Sequence, residues 1–171
     1  VLLERHGEPI PDHAPFGLVG VSAAIEEVRK AIARAANAPF TVLVEGESGS
    51  GKEVVARAIH RAGSRRERRF CAFNCAAMPD DLIDVELFGH AKGAFTGAAG
   101  ERVGLFESAD GGTVFLDEVA ELSARAQAKI LRVIEEGEVR RIGENVSRSF
   151  DARLVAATNR SLRGEVDAGR F

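Results

Sequence analysis

Tryptophan and tyrosine are missing from this chain, and cysteine occurs only at Cys71 and Cys75. The missing aromatics exclude no mechanism by themselves. The scarcity of cysteine excludes more. Two thiols cannot make a disulfide framework for a chain of 171 residues, and they suit a reducing cytoplasm. Without paired histidines at ligand spacing they also fall short of the ligand set of a structural zinc. Both read as buried structural thiols. No stretch of apolar residues is long enough for a helical membrane span. The opening Val1-Leu2-Leu3-Glu4-Arg5-His6 is too short and too polar for a signal peptide. Repeats and low-complexity segments are absent. A net charge of −3 argues neither for nor against an acidic partner.

What is present suits one packed domain. The chain is 45% hydrophobic and 29% charged, enough for a single sizeable core. Residues 1–16 hold Pro9, Pro11 and Pro15 with two histidines, and read as a lead-in linker before a domain over 17–171. Ser22 is placed to cap a helix whose Ile25, Val28, Ile32 and Ala35 share one face. Phe40-Thr41-Val42-Leu43-Val44 reads as a buried strand leading to a helix over 52–62. Phe70-Cys71-Ala72-Phe73-Asn74 is a second strand. Pro79 can start a helix running to Phe88. Thr113-Val114-Phe115-Leu116-Asp117 is a third strand. Ser123 caps a helix with Ala126, Ile130 and Ile134 inward and Gly137 as its stop. Residues 139–142 and 146–150 can pair as a hairpin around Gly143-Glu144-Asn145. Residues 153–158 form a fourth strand. Apolar strands alternating with helices predict an α/β fold, a mainly parallel sheet between two helical layers.

Gly46-Glu47-Ser48-Gly49-Ser50-Gly51-Lys52 has the spacing G-x-x-x-x-G-K of a phosphate-binding loop. Its glycines let successive N–H groups point at phosphate oxygens, and the following helix, opening with Lys52, Glu53 and Val54, adds its positive end. Lys52 is expected to reach the β- and γ-phosphates of ATP. Glu53 stands where Ser or Thr normally offers a hydroxyl to Mg²⁺. Either it turns away as a first-turn helix acid, or it joins the metal site through water. Asp117, at the carboxyl end of a buried strand, can hold Mg²⁺. Glu118 beside it can orient and polarise a water. Thr158 and Asn159 end the fourth strand with short polar side chains suited to sensing the γ-phosphate or that water.

Between these halves lies Gly93-Ala94-Phe95-Thr96-Gly97-Ala98. A nucleotide site does not require it. Gly93 and Gly97 allow backbone conformations closed to other residues. Phe95 offers a large apolar contact at little entropic cost, and Thr96 offers a hydroxyl. The alternative is a tight turn that buries its phenylalanine. The cluster Arg65-Arg66-Glu67-Arg68-Arg69 reads as a solvated loop more readily than as a DNA contact. His60 and His90 read as packing or surface residues.

In this order the motifs resemble the AAA+ ATPase domain of sigma-54-dependent transcriptional activators, the bacterial enhancer-binding proteins. The resemblance runs from about Phe16 to Phe171. It includes the phosphate loop with Glu53 at its last position, Asn74-Cys75-Ala76-Ala77, Glu86-Leu87-Phe88-Gly89-His90, the intact stretch 93–98, and Ala109-Asp110-Gly111-Gly112-Thr113. It implies a P-loop NTPase fold, a three-layer αβα sandwich, that hydrolyses ATP with Mg²⁺ in a ring of its own copies, usually a hexamer. The loop 93–98 would push against sigma-54, with Phe95 and Thr96 as contacts, and so remodel the closed promoter complex of RNA polymerase. Asn74 would pair with Glu118 and hold it from water until nucleotide is bound. Residues 139–150 would be a second moving insertion. Arg141 falls where the family has an arginine that can act at the neighbouring subunit's nucleotide.

The last residues, Asp167-Ala168-Gly169-Arg170-Phe171, carry no terminator and read as a cut through a longer protein. The resemblance puts the arginine fingers just beyond Phe171. The helical lid and a helix-turn-helix DNA-binding domain would follow, and any receiver or ligand-sensing domain would precede Val1. DNA contact is expected only through that absent domain. Such a fragment is expected to hydrolyse ATP poorly, since an arginine finger is worth about 10³–10⁵ in rate. Two other functions compete: a P-loop ATPase acting on another protein, and a nucleotide-gated interaction module without turnover.

Overall fold

The computed structural model describes residues 15–171. The lead-in linker expected over 1–16 lies almost wholly outside them, and Pro15–Gly17 forms a single 3₁₀ turn. In chain order come α1 (Ala23–Ala36), β1 (Val42–Glu45), α2 (Lys52–Ala62), β2 (Phe70–Asn74) and α3 (Asp80–Phe88). A short ribbon follows, β3 (Gly89–His90) and β4 (Arg102–Val103), then α4 (Leu105–Ser108) and β5 (Thr113–Asp117). The chain continues through α5 (Ala124–Glu136), β6 (Glu138–Arg140), β7 (Ser147–Ser149), β8 (Arg153–Thr158) and α6 (Leu162–Asp167).

The main sheet is parallel, in the order β1-β8-β5-β2. Register decides what this sheet can do. Glu45 pairs with Thr158, and Asn74 with Asp117, so the strands deliver their last residues to one edge. The crevice outside the carboxyl ends of parallel strands is where such sheets bind ligands.

Side chains alternate across the sheet with period two. Val114 and Leu116 of β5 face a core with Ile83, Leu87, Phe106, Ile130 and Val133. Phe115 points the other way, into a core with Ile32, Ala56, Ile59, Val155 and Ala157. α1 and α2 therefore cover one face, and α3 and α5 the other, which makes the expected three layers. The Ser22 hydroxyl accepts the Ile25 N–H at 3.3 Å, and the Ser123 hydroxyl accepts that of Ala126 at 3.4 Å, so both caps stand where expected. Arg153 closes the far end of α1 by donating to the carbonyls of Ala35 and Ala38.

One expected inward residue points out. Ile134 is 48% exposed, and Val133 is buried in its place. At about 100° per residue, Ala126, Ile130 and Val133 form one stripe and Ile134 lies at its margin. The first strand is also displaced. It starts at Val42, leaving Phe40 exposed ahead of it, and it is not buried as expected, since Val42 and Val44 are half-buried and Leu43 is exposed.

The packing residues behave as such. His60 is buried with Nδ1 2.9 Å from the Thr113 hydroxyl, and burial lowers its pKa. Cys75 is buried, and desolvation with the nearby Asp117 and Glu118 charges pushes its thiol up to about 12. Cys71 is only half-buried. In the basic cluster, Arg65 pairs with Asp151 at 2.6 Å. Among the described residues no helix is long and apolar enough to cross a membrane.

Candidate nucleotide site and the loop 93–98

β1 ends at Glu45, and the Gly46 N–H donates to the Thr158 carbonyl at 3.1 Å, which ties the loop to the sheet. Gly49 and Gly51 have φ of +77° and +89° with open space where a Cβ would stand. Their glycines therefore answer backbone conformation and leave the inside of the loop free for a ligand. Lys52 opens α2 and is buried. Its ammonium donates to the carbonyls of Gly46 at 3.1 Å and Glu47 at 3.2 Å, and lies 3.3 Å from Glu118 Oε1.

Glu118 has φ of +53° and ψ of +48°, left-handed backbone in a residue other than glycine. Strain of this kind is held only where surrounding structure fixes it. Here the Glu118 N–H donates to Asp117 Oδ1 at 3.0 Å, and Glu118 Oε2 accepts the Asn159 N–H at 3.0 Å. The carboxylate thus bridges the phosphate-loop lysine and the end of β8. Lys52, Asn74, Asp117, Glu118 and Asn159 line one cavity of about 520 Å³ together with Ser48, Gly49, Gly51 and Glu53.

Asn74 and Thr158 sit differently from their expected roles, and Glu53 takes the geometry of one of its two. Asn74 Oδ1 accepts the Ala76 N–H at 2.8 Å, so its side chain caps its own turn while Glu118 is held by Lys52 and Asn159. Thr158 is fully buried, and its hydroxyl accepts the Arg160 N–H at 3.1 Å, leaving Asn159 alone of that pair on the cavity. Glu53 Oε1 accepts from Arg57 Nε at 2.9 Å and Nη2 at 2.7 Å, one helical turn along. That is the first-turn helix acid of the two readings. Val54 is half-exposed and lies outside the cavity wall. Sequence reasoning missed Glu121, which also lines the cavity and pairs with Arg160. The available signal was its spacing of three from Glu118, since a 3₁₀ turn over Val119–Glu121 brings such residues to one side. Among the described residues no cluster of His, Cys, Asp and Glu is placed to hold a metal alone.

The stretch 93–98 is two successive turns. Ala94 N–H donates to Ala91 O at 3.2 Å, Ala98 N–H to Phe95 O at 3.0 Å, and Gly93 N–H to Ala98 O at 2.9 Å across the base. Gly93 and Gly97, at φ of +80° and +99°, occupy the third position of each turn, which requires positive φ in a type II turn. Phe95 stays 45% exposed, its ring meeting the edge of His90 at 5.0 Å between centroids. It is neither buried nor free.

Beside it, β6 and β7 form the expected antiparallel hairpin. Arg141 at its turn is buried, and its guanidinium is committed within the chain. Nε and Nη2 donate to the Glu107 carboxylate at 2.8 and 2.7 Å, and Nη1 donates to Glu101 at 3.1 Å. That pairing holds the Glu107 carboxyl below its ordinary value.

The sigma-54 interaction domain family matches residues 18–171. The chain is 50% identical over 163 residues to the transcriptional regulatory protein ZraR of Escherichia coli K12, covering 95% of this chain and 37% of that protein. It is 52% identical over 159 residues to the Nif-specific regulatory protein of Klebsiella pneumoniae, covering 91% and 30%. It therefore spans about a third of the length of these relatives. The crystal structure of NtrX from Brucella abortus in complex with ATP superposes with a TM-score of 0.81 at 36% identity, over 90% of this chain and 33% of that one. The P-loop NTPase domain of an Escherichia coli sigma-54 activator shares the fold, with a TM-score of 0.55 at 20% identity over 90% and 86%. The chain belongs to the sigma-54 interaction domain family, the AAA+ ATPase domain of sigma-54-dependent transcriptional activators.

Proposed function

We propose that this domain binds and hydrolyses ATP and uses the cycle to present the loop 93–98 to sigma-54, remodelling RNA polymerase at the closed promoter complex. One observation carries the reading. The carboxyl ends of β1, β2, β5 and β8 gather Lys52, Asn74, Asp117, Glu118 and Asn159 around one cavity. A single run of chain then leads from Glu118 through α5 to the hairpin beside the loop.

ATP phosphates would lie against the N–H groups of residues 46–52 and the start of α2. Lys52 would exchange its carbonyl partners for phosphate oxygens and so loosen its hold on Glu118. Glu118 would then orient the attacking water, with Asn159 beside it and Asn74 within the same cavity as its alternative partner. The donor set suits Mg²⁺. One strand-end carboxylate, Asp117, faces the cavity, and this ion is ordinarily held by one or two carboxylates plus phosphates and water. Glu53, engaged by Arg57, is spared from that set. The ion would neutralise phosphate charge.

Phe95 and Thr96 would be the sigma-54 contacts, with Gly93, Ala94, Gly97 and Ala98 shaping the turns that carry them. The site would work within a ring, a hexamer by family resemblance, in a cytoplasmic protein that reaches DNA through another domain. Arg141 could serve a neighbouring subunit only after leaving Glu107 and Glu101.

The test is ATP hydrolysis and capture of sigma-54, in the full-length protein, with an ATP transition-state mimic. Lys52→Ala should weaken ATP binding by roughly a hundredfold, through loss of a charged hydrogen bond to phosphate. It should abolish capture with it. Capture that persists without nucleotide binding would reject the reading.

A further inference from the structure

The phosphate loop stands at the carboxyl edge of the parallel sheet. The opposite edge is recessed too. A trough of about 600 Å³ crosses the amino ends of β1, β5 and β8, against about 520 Å³ at the nucleotide site. Cavities of about 300–1,000 Å³ are the size that takes small molecules.

Two residues that the sequence pattern assigns to the core stand on the wall of this trough. Phe40 is 67% exposed and Ile134 is 48% exposed. Phe40 follows α1, on one face of the sheet, and Ile134 belongs to α5, on the other. An apolar body lying between them would take both out of water.

The polar part of the wall is cationic. Its titratable residues are His60, Arg65, Asp151 and Arg153. Burial lowers the His60 pKa from 6.5, so its ring is uncharged at neutral pH. Asp151 is engaged by Arg65 at 2.6 Å. Among the described residues the partners of Arg153 are the carbonyls of Ala35 and Ala38, and its Nε is buried without one. Carbonyl dipoles solvate a guanidinium, but they do not cancel its charge. Burial, and then repulsion from Arg65, pull the Arg153 pKa down. A bound anion would relieve both.

We propose that this trough is a second ligand site, for a small monocarboxylic acid with an aromatic or aliphatic body. The body would lie between Phe40 and Ile134, with the carboxylate against Arg153. One uncompensated guanidinium calls for one negative charge, and a planar carboxylate matches its fork. A nucleotide or a phosphate ester would bring more negative charge than this wall balances. The site stands apart from the function proposed above, because the two cavities lie at opposite edges of the sheet.

The test is equilibrium dialysis of the full-length protein with benzoate, 3-phenylpropionate and hexanoate. ADP is kept saturating, so that the nucleotide site is taken. At least one acid should bind, and its neutral amide should bind about tenfold more weakly or worse, because a charged hydrogen bond is lost. Phe40→Ala should weaken the acid about fivefold or more through lost apolar contact. Ile134→Glu should abolish binding by supplying Arg153 with an anion from the chain itself. Arg153→Lys keeps the charge but loses the planar fork, and should weaken binding about tenfold. Phe40 and Ile134 are exposed, so ADP binding at the parental level in their variants shows an intact fold.

No binding by any of the acids at about 10 mM would overturn the site. Equal affinity for acid and amide, or parental affinity in Arg153→Lys, would overturn the carboxylate. Binding that survives both Phe40→Ala and Ile134→Glu lies elsewhere and would overturn the trough.

Discussion

The phosphate-binding loop springs from a strand of the parallel sheet, whereas residues 93–98 hang from a ribbon of two two-residue strands. Both are glycine-rich, and both keep two glycines at positive φ with open space around them. Their surroundings differ. Around the first, Lys52 is buried and donates to loop carbonyls, and strand register places acids within its reach. Around the second, the bonds are local, one aromatic edge supports Phe95, and the neighbour is itself a small hairpin. A site for phosphate needs fixed dipoles. A loop that delivers force needs a mounting that can shift at modest cost, and segments with few buried contacts open first. On the function proposed above, one backbone device would serve as receptacle when anchored in a sheet and as effector when it is not.

The sharpest break of this contrast is Glu118→Gln. The amide keeps the shape of the carboxylate but cannot act as a base, so hydrolysis should fall by about 10²–10⁴-fold with nucleotide affinity kept. A steady-state assay beside a binding titration checks both. Glu107→Ala should act on the other region. It strips buried Arg141 of its bidentate partner and should cost about 3 kcal/mol in a denaturant titration, while the phosphate loop is untouched.

The same pair gives a pH dependence. The Arg141 hydrogen bond depresses the Glu107 pKa from its ordinary value of 4.5. A carboxyl depressed on folding contributes stability that is complete above its ordinary value and is lost as pH falls through the lowered one. Acid unfolding of the parent should therefore be steeper below pH 4.5 than that of Glu107→Gln. The smallest effect on the fold belongs to Phe95→Ala. A half-exposed ring leaning on His90 should contribute about 1 kcal/mol or less, visible as a small shift in Tm. A large loss would mean that the loop belongs to the core.

Legibility in the sequence followed the same division. The phosphate loop, the buried strands β5 and β8 and both serine caps carry local signals, spacing and period, that survive without the fold. The hairpin was legible from its turn residues. The ribbon of β3 and β4 was not, because two residues make no period. Ile134 was misplaced because the stripe of α5 runs through Ala126, Ile130 and Val133 and leaves Ile134 at its margin. Glu107 lies 34 residues from Arg141, and no local pattern joins them. The grip of Lys52 and Asn159 on Glu118 likewise depends on sheet register, as does the burial of Thr158. Sequence thus nominated the candidate site residues, and the fold showed which of them hold one another.

The most direct measurement separates the two regions in one protein. Thr96→Ala in the full-length chain should keep ATP hydrolysis within about twofold of the parent and lose sigma-54 capture, with a transition-state mimic, by about tenfold or more. Capture equal to the parent, with hydrolysis intact, would contradict the account of residues 93–98 as the output of the nucleotide site.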